Sequence, residues 1–151
     1  MATGDVTIFE EAKGYMFDGG WATTDQIYVA ICDNTTTPVA AAAAPAVGSG
    51  GTTNYTEVGA AGSYTTGGEL LDTWANMIVE AGGTVTFDDT GASVSWTQNA
   101  SNDTDAWWAI IYNTTQASNA AICFIELGGP VDMSAGALTI TWNGSGIFTF
   151  T

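Results

Sequence analysis

The sequence predicts an all-β chain: a two-sheet antiparallel sandwich, jelly-roll-like, with one short N-terminal helix. Three observations carry that expectation. Segments such as QIYVAICD and SVSWTQ alternate at period two, which sorts side chains onto opposite faces of a strand. Glycine is frequent, at 19 residues, and often falls in pairs between those segments, where tight turns need it. Charged residues make up only 11% and aromatics another 11%, a balance that suits half-buried pleated surfaces. The 151 residues amount to a single domain, 1–151.

The elements follow in order. A helix is expected over about 6–17, because Phe9, Ala12 and Met16 share one face with Ile8 and Tyr15 beside them. Asp5 or Thr7 would cap it, Glu10 and Glu11 suit its positive end, and Gly19-Gly20 stops it. Strand 26–33 places Ile27, Val29 and Ile31 on one face and Tyr28, Ala30 and Cys32 on the other, so both faces are covered. An alanine run between Pro38 and Pro45, followed by Gly48-Ser49-Gly50-Gly51, marks about 34–53 as a flexible surface arm. Two short extended pieces cover 55–59 and 62–66. Strand 69–81 then turns at Gly82-Gly83 into 84–88. Strands 93–98, 106–113 and 120–127 follow, the last ending in the turn Gly128-Gly129-Pro130. Strand 137–143 returns through Gly144-Ser145-Gly146 as a hairpin into 147–151. The total is about eight strands.

The ionisable groups bound the chemistry. There are 16 acidic residues, one cation (Lys13) and no histidine, for a net charge of −15. Nucleic-acid binders neutralise phosphates with Lys and Arg, so nucleic acid is excluded as a partner, and so is an anionic membrane surface. Without histidine, His-based metal sites and Ser-His or Cys-His nucleophile pairs are absent. Spread over ~7,000 Å² of surface, the charges average about 22 Å apart. That exceeds the ~8 Å Debye length at physiological salt, so packing and assembly are not forbidden. The start, Met1-Ala2-Thr3-Gly4-Asp5, lacks a basic region and an apolar run, so no secretory signal is expected. Cys32 and Cys123 lie in apolar strands. They read as buried thiols of a reducing cytoplasm, with a cross-strand disulfide as the alternative.

Candidate sites each have a plainer reading. The loop Asn99-Ala100-Ser101-Asn102-Asp103-Thr104-Asp105 is oxygen-rich enough for calcium. Asn and Asp in turns more often bond their own backbone. Asp88 and Asp89, or either with Glu80, suggest a two-carboxylate glycosidase. Neighbours on a strand point to opposite faces, so Asp88 and Asp89 are not such a pair. No catalytic residue, cofactor or metal is therefore expected. Trp74, Trp96 and Trp142 read as core. Trp21, Trp107 and Trp108 are the expected contact residues, with alternation sending one of the adjacent pair outward.

The text TDAWWAIIYNTT (104–115) through ICFIELGGPVDMSAGALTITWNGSGIFTFT (122–151) resembles small virion proteins of tailed bacteriophages. So do GDVTIFEEAKGYMFDGGW (4–21), QIYVAICDNTTTP (26–38) and YTEVGAAGSYTTGG (55–68). The resemblance implies a non-enzymatic structural component of the particle. Small β-rich phage proteins of this size commonly act as capsid decoration, or cement, proteins, and these often form trimers. The implied partners are the major capsid protein and further copies of the chain, with a trimer favoured. The implied place is the capsid surface of the virion, after synthesis in the host cytoplasm. The alternative is a tail, collar or fibre component touching host-surface glycans through an exposed tryptophan.

Overall fold

The computed structural model describes residues 2–89, 93–116 and 118–151. Along them run β1 (Val6–Ile8), α1 (Glu10–Asp18), β2 (Gln26–Cys32), β3 (Pro45–Val47), β4 (Thr53–Tyr55), β5 (Glu69–Thr73) and β6 (Ile78–Ala81). Then come β7 (Thr84–Phe87), β8 (Val94–Trp96), β9 (Ala106–Asn113), β10 (Ala120–Val131), β11 (Leu138–Ile140) and β12 (Phe148–Phe150). The fold is all-β and sandwich-like, with one short helix.

Seven strands form the main sheet in the order β4-β3-β10-β9-β2-β5, with β1 also beside β10. Every pairing is antiparallel except β3 with β4. The β2–β9 register sets Tyr28, Ala30 and Cys32 opposite Tyr112, Ile110 and Trp108 on one face. It sets Ile27, Val29 and Ile31 opposite Asn113, Ile111 and Ala109 on the other. Both faces are covered, as the unbroken apolar text of these strands predicts. Segment 34–67 covers the first face. Trp108 Nε1 donates to Asn34 Oδ1 at 3.0 Å and the Tyr112 hydroxyl to the Gly67 carbonyl at 2.9 Å. Phe9 packs between Phe124 (5.0 Å) and Tyr55 (5.7 Å). The remaining strands form two small sheets, the ribbon β8–β11 and the three-stranded β12-β7-β6. Phe9, Phe87, Trp96 and Phe124 are fully buried, each contributing about 1.5–3 kcal/mol by leaving water.

Several expectations are corrected. The helix expected over about 6–17 begins at Glu10, because Val6–Ile8 pairs with Ile125–Cys123 of β10 as a strand. Neither Asp5 nor Thr7 caps it. Phe9 occupies the cap position without a side-chain hydrogen bond, and the Glu10 N–H donates to the Ala40 carbonyl at 2.9 Å. The same contact overturns the surface arm at about 34–53. Ala44 N–H donates to Glu11 Oε2 at 2.7 Å, and Pro45–Val47 is a buried strand that joins the main sheet at Ala46↔Ala120.

Strand 69–81 is two strands. Thr73 O accepts the N–H of Asn76 and of Met77, and Asp72 Oδ1 accepts Asn76 Nδ2 at 2.8 Å, folding 74–77 into a turn. The expected turn at Gly128-Gly129-Pro130 is a continuation of β10, with a register shift between Glu126 and Val131. The final hairpin does not form. β11 pairs with β8 (Leu138↔Trp96) and β12 with β7 (Phe148↔Phe87). The Gly82-Gly83 hairpin does form between β6 and β7, and both glycines have positive φ (58° and 82°), as a type I′ turn requires. Among the described residues twelve strands stand where about eight were expected. Cys32 and Cys123 are free, buried thiols in β2 and β10, with β9 between those strands.

Candidate functional site

The three-stranded sheet and α1 border an apolar groove that opens to solvent. The registers of the sheet align Ile78, Phe87 and Phe148 in one row across β6, β7 and β12. Glu80, Val85 and Phe150 form the next. These rows share a face because they stand two residues apart. Met16 and Phe17 of α1 close one side, and Trp74 joins the lining. The result is a groove of about 300 Å³, lined by aromatic and aliphatic side chains and by one charged residue, Glu80.

Ring contacts hold the groove's walls. Tyr15 stacks on Trp21 at 5.7 Å, Trp21 meets Trp74 edge-on at 4.8 Å, and Trp74 meets Phe87 at 5.6 Å. Phe87 stacks on Phe148 at 4.7 Å, Phe148 meets Phe150 at 5.7 Å, and Phe150 meets Phe17 at 6.3 Å. Such pairs add about 0.5–1.5 kcal/mol each beyond their burial. The series starts and ends on α1, so helix and sheet fix one another. Phe17 is nevertheless 82% exposed and forms the groove's lip. An exposed ring bordering an open apolar groove makes this patch the candidate contact surface.

No family model, curated protein or solved structure matches the chain.

The expected contact tryptophans are placed differently. Trp21 is buried between Tyr15 and Trp74. Trp108 is buried against Phe124 and Asn34. Neither offers a free face within this chain. Trp107 is half-buried, its Nε1 donating to Asp105 Oδ1 at 2.6 Å. Alternation thus separates the adjacent pair as predicted. Trp96 is core, whereas Trp74 and Trp142 are only partly buried. The sequence reading missed Phe17, because it leaves the apolar stripe of the expected helix. It missed the groove because Phe148 and Phe150 were assigned to a different pairing. The alternation of Val85 with Phe87 was the available signal.

The polar candidates are occupied structurally. Asn102 donates through Nδ2 to Ser63 Oγ, Thr97 O and Met133 O at 3.0–3.1 Å, and its Oδ1 accepts the Ser63 N–H at 2.8 Å. Asp103 Oδ2 accepts the Gly59 N–H and Oδ1 that of Asp105. The oxygen-rich loop Asn99–Asp105 is thus a knot joining three loops. Among the described residues no cluster of acidic or thiol ligands forms a metal site. Asp89 is buried and accepts Trp142 Nε1 at 2.9 Å, while Glu80 lies in the groove.

Asp25 is buried and its Oδ2 accepts Asn113 Nδ2 (2.8 Å), Gln116 Nε2 (2.8 Å) and the Ala22 N–H (3.2 Å). Burial pushes its pKa up, but these three hydrogen bonds together outweigh it and the pKa is lowered. Glu57 Oε2 accepts the Tyr64 hydroxyl and the Gly67 N–H, both at 2.7 Å. The Tyr64 oxygen in turn accepts the Ile31 N–H at 3.1 Å. Burial, then the nearby Glu57 carboxylate, drives the Tyr64 pKa up. These groups bind the 34–67 segment to the main sheet.

A second cleft, of about 580 Å³, opens between Val6, Ile125 and Leu127 on one side and Leu138, Ile140 and Trp142 on the other. It is larger but carries no exposed aromatic lip, so the groove is the stronger contact candidate.

Proposed function

We propose that this chain is a structural virion protein of a tailed phage, of the capsid decoration type, docking on the outer surface of the head shell. One observation carries the reading. The best-placed free surface is an aromatic groove with an exposed lip, while Asp25, Asp89, Asn102 and Asp103 are engaged in hydrogen bonds that hold the fold. Such a molecule acts by contact. The scarcity of cations supports a protein partner over nucleic acid, and the phage-protein resemblance of the sequence supports the head. The partners are then the major capsid protein and further copies of the chain. Weak single contacts suffice, because a multivalent particle sums them.

The test is addition of the purified chain to undecorated heads. It should cosediment with them and raise the temperature at which they rupture. Failure to bind heads overturns the reading. Binding to purified host glycans instead favours the tail, collar or fibre role, for which half-exposed Trp107 is the candidate contact.

A further inference from the structure

We propose that the aromatic groove is a self-association surface on which two copies of the chain exchange Phe17 across a two-fold axis. The inference rests on the contact reading above only for the premise that the groove serves contact, and it can be tried on the isolated chain.

The shape of the patch suits a second copy. One patch holds both a projection and a slot. Phe17 is 82% exposed at the end of α1, and beside it lies a groove of about 300 Å³ floored by Ile78, Phe87 and Phe148. A patch containing both parts is complementary to a second copy of itself, which is the condition for an isologous two-fold contact. Had projection and slot stood on separate faces, copies would add head to tail into rings or filaments.

The patch's charge does so as well. The chain has 16 acidic residues and one lysine, so most pairings of two copies set acid against acid. This patch, although Glu10 and Asp18 also lie on α1, is where the lysine stands. Lys13 is exposed and precedes Phe17 by four residues on α1, which places both on one side of the helix. Glu80 lines the slot. Insertion of Phe17 into the slot of a second copy carries Lys13 toward the partner's Glu80, and symmetry forms the pair twice. The chain's single cation thus sits beside its most exposed aromatic ring, opposite the one acid in the slot. Repulsion between the remaining charges is screened beyond ~8 Å at physiological salt.

The test is sedimentation over a wide dilution series. The wild-type chain should pass from monomer to dimer as its concentration rises. Phe17→Ser should weaken dimerisation at least tenfold while lowering thermal stability by no more than the loss of its one ring contact, with Phe150. Phe150→Ser, which removes the same contact but keeps the Phe17 lip, should weaken dimerisation less. Lys13→Glu and Glu80→Lys should each weaken it, and the double exchange K13E/E80K should recover most of the loss. A chain that stays monomeric throughout, a trimer in place of a dimer, an undiminished Phe17→Ser dimer, or a double exchange without recovery overturns the proposal. If the chain is monomeric but binds heads in a Phe17-dependent way, the groove belongs to the shell protein. The proposal then falls while the decoration reading stands.

Discussion

At the scale of single residues, the polar side chains act as fasteners. Asn113 in β9 and Gln116 just beyond it reach Asp25, which precedes β2, so one carboxylate joins two strand ends. The pH consequence has a definite sign. A carboxyl whose folded pKa lies below its unfolded value adds stability above the unfolded pKa, and that stability is lost as pH falls through the folded one. Asp25 and Asp103 are both lowered, Asp103 first by the Gly59 N–H. Stability should therefore decline as pH drops below about 4, the range of an unfolded aspartate. Urea titrations across that range should show the decline, and Asp25→Asn should flatten it while lowering stability at neutral pH. Asp25 could not be found from the sequence. Its partners lie 88 and 91 residues away, and nothing local in Ala22–Gln26 distinguishes a buried carboxylate from a solvated one.

At the scale of elements, alternation located strands well and partners poorly. β2 and β9 were readable to within a residue, because both faces of each are apolar and no competing period exists. The hairpin expected over 137–151 fails because alternation says which residues face inward, not which neighbour lies alongside. Leu138 and Ile140 find Trp96 and Val94, and Phe148 finds Phe87, partners of matching size far off in sequence. The helix start fails for a related reason. The 3.6-residue pattern begins at Ile8, but the backbone of 6–8 gains more from the open edge of β10. Glycine positions were legible as punctuation without their individual roles. Gly68 is one whose role the structure supplies. It has φ of +70°, and a Cβ there would overlap the Val29 carbonyl. Gly68→Ala should cost about 2–3 kcal/mol through strain and displacement of β2, measurable as a lower urea midpoint. Gly14→Ala, with open space around it, should not destabilise.

At the scale of the whole molecule, composition spoke more clearly than topology. The acidic charge and the near-absence of cations are properties of the whole chain that the sequence states directly. The groove was not legible there, since it is assembled from α1, the turn at Trp74 and three strands spread over the length of the chain. The buried thiols give a global readout. Burial pushes up the pKa of both Cys32 and Cys123, so neither offers thiolate at neutral pH. A thiol reagent should leave the native chain unmodified and label both cysteines in denaturant. Fast labelling of the native protein would mean that the main sheet opens locally.

The ring contact between Phe17 and Phe150 ties the groove to the order of synthesis. A ribosome exposes the helix long before it makes β12, so a nascent chain shows the lip without the floor. The groove is complete only after Phe150 has emerged, so whatever binds it meets α1 and β12 already folded together.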